Sequence, residues 1–224
     1  SISQGQGINI LLNLFFGPMV NAARAVAYQI QTAVNHFVIN FLMATRPQVI
    51  KSFAEHNYER MYSLTFKSAR YSFFLMLALI LPICFELRFI LNLWLGKATP
   101  PDTYVFTLII LLLSLAEVFR ASMIMAFHAI GKMKLGNSLN GTIMILSLPI
   151  SYAILKMGAP AYAVFIVLVI INITVMIDAY FIVYSYVHFN IRELLVGAVL
   201  PCVLVGACSV IVPTAIVYLM EDGW

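Results

Sequence analysis

Seven stretches of this 224-residue chain are long and apolar enough to sit in or across a bilayer, and together they fill nearly all of it. The clearest, 161–186, has Asp178 as its one acid and contains no Lys or Arg. Apolar residues make up 62% of the chain and charged residues 10%, against about 45–50% apolar in soluble proteins. A soluble fold has no use for so many unbroken apolar segments. A helical bundle in lipid does, because hydrocarbon offers a bare peptide group no partner and each span must bond to itself. The expected fold class is therefore all-α, a polytopic transmembrane helical bundle in a lipid bilayer, and function has to be read from whatever interrupts the apolar segments.

The first segment, 8–20, is shorter than the roughly 20 residues a span needs. It reads as a partial span, so the chain is expected to begin inside a transmembrane helix of a longer protein. Full spans are expected at 22–43, 71–93, 104–130, 139–157, 161–186 and 194–220. Turn signals separate them: Gly17-Pro18, Gly96-Lys97 with Pro100-Pro101, Gly131 and Gly136, Gly158-Ala159-Pro160, and Asn190. Pro82, Pro149, Pro201 and Pro213 fall inside spans, where each removes a helix bond.

The longest polar connection is 46–70. Pro47 suits the first turn of a helix, and Val49, Ile50 and Phe53 then share a face. The reading is an amphipathic helix lying on the membrane, broken at His56-Asn57. Lys and Arg set the orientation. One set of loops holds Arg46, Lys51, Arg60, Lys67, Arg70, Lys132, Lys134 and Arg192; the other holds Arg24, Arg88, Lys97 and Lys156. The richer set, and with it the connection 46–70, is expected on the cytoplasmic side.

Polar residues inside spans are expensive and mark function or pairing. Glu117 and Arg120, three apart, share a helix face; they either neutralise each other or line a substrate path. Asp178 is an ion-coupling candidate, or an acid bonded to a neighbouring helix or to Arg120. The first two segments are rich in amides: Gln4, Gln6, Asn9 and Asn13, then Asn21, Gln29, Gln31, Asn35 and Asn40, with His36 among them. Such side chains bridge helices or line a cavity that can hydrogen-bond a sugar. Arg24 is either a bidentate phosphate ligand or an interface anchor that snorkels.

No catalytic constellation appears, so an enzyme is not expected. His36, His56, His128 and His188 show no metal-ligand spacing, no G-x-x-x-x-G-K-[ST] loop is present, and no cofactor is implied. Cys84, Cys202 and Cys208 lie in apolar segments and read as small buried hydrophobes. The formal charge of +4 comes with no basic run interleaved with aromatics, which argues against nucleic acid as a partner.

The run 5–13 (GQGINILLN), then Phe16-Gly17-Pro18, then 21–29 (NAARAVAYQ) resembles the start of the C-terminal half of Wzx-type polysaccharide-unit flippases. Asn40-Phe41, Pro47-Gln48, Lys51-Ser52 and 89–96 (FILNLWLG) continue the likeness. These flippases belong to the multidrug/oligosaccharidyl-lipid/polysaccharide exporter superfamily, which includes the MATE exporters. The likeness is specific over about the first 96 residues. It implies one lobe of a two-lobed transporter in the bacterial inner membrane, with an N-terminal lobe of the same transporter as its partner, and transport by neither lobe alone. The implied activity is translocation of undecaprenyl-diphosphate-linked oligosaccharide units for O-antigen and related surface polysaccharides, by alternating access. Arg24, Arg120, Asn13, Gln29 and His36 are then the expected substrate residues, with Asp178 and Glu117 for ion coupling. The alternatives are a MATE-like, cation-coupled exporter of small organic molecules, and a non-transporting membrane scaffold or gene fragment.

Overall fold

The computed structural model describes residues 2–131, 133–186 and 191–221. His188 and Asn190 lie outside the described residues. Helices account for nearly everything described, and no strand occurs among those residues. In order they are α1 (Ile2–Phe16), α2 (Pro18–Ala54), α3 (Tyr58–Phe85), α4 (Leu87–Leu95) with a 3-10 turn (Gly96–Ala98), α5 (Thr103–Ile130), α6 (Met133–Lys156), α7 (Ala163–Tyr186), α8 (Ile191–Leu194), a π-turn (Leu195–Val199) and α9 (Leu200–Glu221). Four apolar stretches are long enough to cross a membrane: Tyr58–Phe85, Thr103–Ile130, Ala163–Ser185 and Arg192–Ile211. This is a multi-pass membrane helical bundle.

α5 is the hub. It packs on α2, α3 and α7, while α6 joins α7 to α1 and the π-turn and α9 lean on α3. Ala23 and Ala27, both fully buried, let α2 come close to the large side chains Phe106 and Phe165, which meet at 4.6 Å. The buried hydroxyls of α5 return to their own helix. Thr107, Ser114 and Ser122 donate to the carbonyls four residues back, at 2.7, 2.9 and 3.0 Å. A buried hydroxyl is thereby satisfied within its own helix.

Gly17, at φ 81, turns α1 back on α2, and Asn21 of α2 donates to the Asn9 carbonyl of α1 at 2.9 Å. The expected bend is therefore a helical hairpin. Gly136, by contrast, lies within α6 and marks no turn. The expected surface helix at 47–55 is also absent as a separate element. α2 runs unbroken through Pro47 to Ala54, about 55 Å at 1.5 Å per residue. Val49 is buried with Met61, Met125 and Ala126, so this length packs on protein rather than on a lipid surface. The break does fall at 55–57, where Asn57 caps α3 by accepting from the Arg60 backbone N–H at 3.0 Å.

The expected span at 71–93 is likewise divided. α3 starts at Tyr58 and stops at Phe85, one turn after Pro82. The short α4 follows, burying Leu87 and Leu91 and exposing Phe89, Leu93 and Trp94. That amphipathic pattern, ending on a Trp, is the one expected at a membrane–water boundary.

The helices alternate direction, which sorts the charges by end. Arg46 donates to His128 at 2.9 Å and Arg70 to the Gly197 carbonyl at 3.3 Å, placing the 55–57 turn, the end of α5 and the start of the last span together. Pro18, Met19 and Ala22 share a surface pocket with 98–101 at the other end. His56 and Ala98 should therefore lie on opposite sides of the membrane. With Cys84, Cys202 and Cys208 replaced, an impermeant thiol reagent added outside intact cells should label only one of His56→Cys and Ala98→Cys. Labelling of both would contradict the topology.

Candidate functional site

A polar cavity of about 230 Å³ opens inside the bundle among α1, α2, α5, α6 and α7. Glu117, on its wall, is 14 residues from one end of α5 and 13 from the other, so the cavity sits about 20 Å from either end. α2 supplies Arg24, Tyr28, Gln31 and Asn35, which recur at helical spacing on one face. α5 supplies Glu117 and Arg120, α1 Gln4 and Gly5, α6 Met144 and α7 Asn172.

Arg24 is 7% exposed. It turns into the bundle, so the snorkelling reading does not hold. Its guanidinium donates to the Asn9 side-chain oxygen and reaches the Gly5 carbonyl at 3.4 Å. It also stands over the Tyr28 ring, 4.7 Å from the centroid. These neighbours hold the group in place but leave its charge uncancelled. Arg120 and Glu117 meet at only 3.9 Å, with side chains 21% and 26% exposed. With Glu117 ionised, the cavity holds two guanidiniums against one carboxylate, a surplus of one positive charge.

Three buried polar atoms around this space have no hydrogen-bond partner: Arg24 Nε, Arg120 Nε and Asn172 Oδ1. Orphaned atoms in a dry core each cost about 1–3 kcal/mol. They are tolerable where a ligand or water completes them. Several other polar groups of the lining are tied to neighbours. Gln31 donates to Ser114 at 2.9 Å, Gln4 to Ser147 at 3.1 Å, and the Asn172 amide to the Leu168 carbonyl at 2.9 Å. The unfilled capacity is therefore concentrated on the two guanidiniums. Two such donor forks suit an anion, and phosphate most of all. The volume is below the roughly 300–1,000 Å³ of sites for drug-sized ligands; it suits a charged head and no bulky body.

The structure thus brings Arg24, Arg120 and Glu117 together, and leaves Asn13, Gln29 and His36 outside the cavity on the exposed surface. Gln29 and His36 belong to a second face of α2. Ala22, Ala25, Gln29, Thr32, Ala33, His36 and Asn40 are all exposed and fall on one side of the helix. α2 carries polar side chains on two faces, one lining the cavity and one on the outside of the bundle, where Gln29, Thr32, His36 and Asn40 alternate with alanines. Asp178 is also not in the cavity, and it does not pair with Arg120, whose partner is Glu117. Its Oδ2 is buried without a hydrogen-bond partner.

Asn172 is the cavity residue the sequence reading overlooked. Its signal is an amide halfway along the most apolar stretch of the chain. Among the described residues, no group of three His, Cys, Asp or Glu could hold a metal ion.

The chain matches no protein-family model, no curated protein and no solved structure.

A guanidinium kept for architecture and one kept for a ligand respond differently to an apolar replacement. Arg24→Met removes a buried charge that no carboxylate compensates, and with it the cost of keeping that charge out of water. The expected outcome is a purified variant at least as heat-stable as the parent in the same detergent. A loss of several degrees in Tm would make Arg24 a structural brace.

Proposed function

We propose that this chain is one lobe of a membrane transporter that flips lipid-linked oligosaccharides carrying a diphosphate, from the cytoplasmic to the periplasmic face of a bacterial inner membrane. The observation that carries the proposal is the doubly polar α2. Its outer face sets Gln29, Thr32, His36 and Asn40 over about 16 Å of helix. The two amides and the imidazole of this face do not belong against acyl chains. The face suits the wall of a wet passage completed by a second lobe, with groups able to bond sugar hydroxyls. The inner face contributes Arg24 to the cationic cavity, where a diphosphate finds two guanidiniums. On this reading α2, α3, α5, α6, α7 and α9 all cross the bilayer, the end bearing Arg46, Lys51, Arg60, Lys67 and Arg70 is cytoplasmic, and no step of the work is enzymatic.

The resemblance of 5–29 and 89–96 to Wzx-type flippases supports the same reading. A cation-coupled exporter of small organic molecules fits less well, because a cavity with surplus positive charge repels cations. A passive scaffold gives no reason to keep a guanidinium uncompensated in the membrane. Asp178, with a buried unpartnered oxygen, is the acid best placed to exchange a proton or sodium ion with a gradient.

The full transporter, reconstituted in vesicles with undecaprenyl-diphosphate-linked oligosaccharide, tests this. Arg24→Lys and Arg120→Lys should each slow flipping roughly tenfold, because an ammonium cannot replace the planar fork. Wild-type rates in both variants would remove the diphosphate role. Asp178→Asn should retain expression and lose dependence on the ion gradient; unchanged dependence would leave Asp178 a packing residue.

A further inference from the structure

At the basic end of the bundle, a second polar pocket of about 630 Å³ lies between α3 and the segment that begins the last span. Its construction starts with Pro201. Proline has no N–H, so the carbonyl four residues back, that of Gly197, loses its α-helical donor. The chain opens there into the π-turn Leu195–Val199, with the Leu200 N–H bonded five residues back to Leu195. Arg70 of α3 donates to that carbonyl at 3.3 Å. The same guanidinium stands over the Tyr71 ring at 5.2 Å, reaches the Tyr71 hydroxyl at 3.4 Å, and leaves its Nε buried with no partner. No carboxylate of the described residues pairs with it.

Lys67, one turn before Arg70, and Arg192 complete a cationic rim, opposed by Glu59 and Glu193. Three cations against two carboxylates leave one positive charge. The pocket's depth in the membrane is fixed by sequence. Arg70 is the last charge before the apolar length of α3, and Arg192 opens the last apolar stretch. Both therefore stand at the level of lipid phosphates. An apolar groove of about 740 Å³, lined by Phe73, Leu195 and Val199 among others, adjoins the π-turn.

We propose that this pocket binds the headgroup of an anionic phospholipid, with its phosphate on Arg70 and Lys67 and an acyl chain running toward the adjoining groove. Charge decides the occupant: one net negative headgroup matches one net positive pocket, and basic pockets between spanning helices on the positively charged side take such lipids. The lipid clamps α3 to the π-turn, reinforcing the contact that Arg70 makes with Gly197. The assignment does not depend on what the transporter carries.

Native mass spectrometry of the purified chain, exchanged into equimolar phosphatidylglycerol and phosphatidylcholine, tests it. The parent should retain one phosphatidylglycerol in clear preference to phosphatidylcholine, and that preference should fall about fivefold for each cation removed. Lys67→Gln, on an exposed side chain, tests the rim without disturbing the fold; Arg70→Gln tests the anchor, with Arg70→Lys retaining part of the preference. Ten-millimolar-scale inorganic phosphate should not displace the lipid. Equal retention of the two lipids by the parent, an unchanged preference in both Lys67→Gln and Arg70→Gln, or displacement by inorganic phosphate would each overturn the assignment.

Discussion

A polar group in hydrocarbon has no water to fall back on, and the fold is arranged around that constraint. It explains why the described chain is nearly all helix. It also explains the smaller choices. The hydroxyls of α5 bond to carbonyls of their own helix. Asn21 and Arg24 reach across the Gly17 hairpin to α1. The carbonyl that Pro201 orphans is met by an arginine 127 positions earlier. These cross-element bonds tie α1 to α2 and α3 to the π-turn.

Buried polar atoms without a partner remain at several places, Arg70, Ser72, Ser151 and Asp178 among them, and the central cavity gathers three, two of them on guanidiniums. Arg24 is nearly as buried as any core residue, and its neighbours are an amide, a carbonyl and an aromatic face, with no carboxylate. Arg120 has one at 3.9 Å, a weak contact. A bundle selected for stability alone would fill this space with apolar side chains, which often do better than buried charges. Unsatisfied donors on two guanidiniums fit a site whose partner arrives and leaves. A transporter needs such a partner-dependent site, because only a ligand with different affinity for two states can shift the balance between them.

Much of this was legible in sequence, and what was not has a common cause. The limits of α5 and α7 fall within two residues of the expected spans, since long apolar runs between glycine turns leave little choice. Arg24, Arg120 and Glu117 stood out because charge is rare in such runs. That Arg24 joins the Glu117–Arg120 pair in one cavity was not readable, as it depends on how α2 packs on α5. Sidedness failed for the same reason. In a soluble helix the apolar face points inward. Here lipid-facing and core-facing positions are both apolar, so nothing in the pattern told Gln29 and His36 from Gln31 and Asn35, although one pair is exposed and the other lines the cavity. Pro47 was read as a helix start; α2 passes through it because Val49 is held on α3 and α5 by Met61 and Met125, packing that local propensity does not register.

The central claim is that the cavity among α1, α2, α5, α6 and α7 is an anion site. Calorimetric titration of undecaprenyl diphosphate into the purified protein in nanodiscs, with undecaprenol as the uncharged control, tests it most directly. The account predicts saturable binding of the diphosphate, no saturable binding of the alcohol, and loss of binding in the double variant Arg24→Met, Arg120→Met. Equal affinity for the two lipids, or full diphosphate binding by a folded double variant, would contradict it.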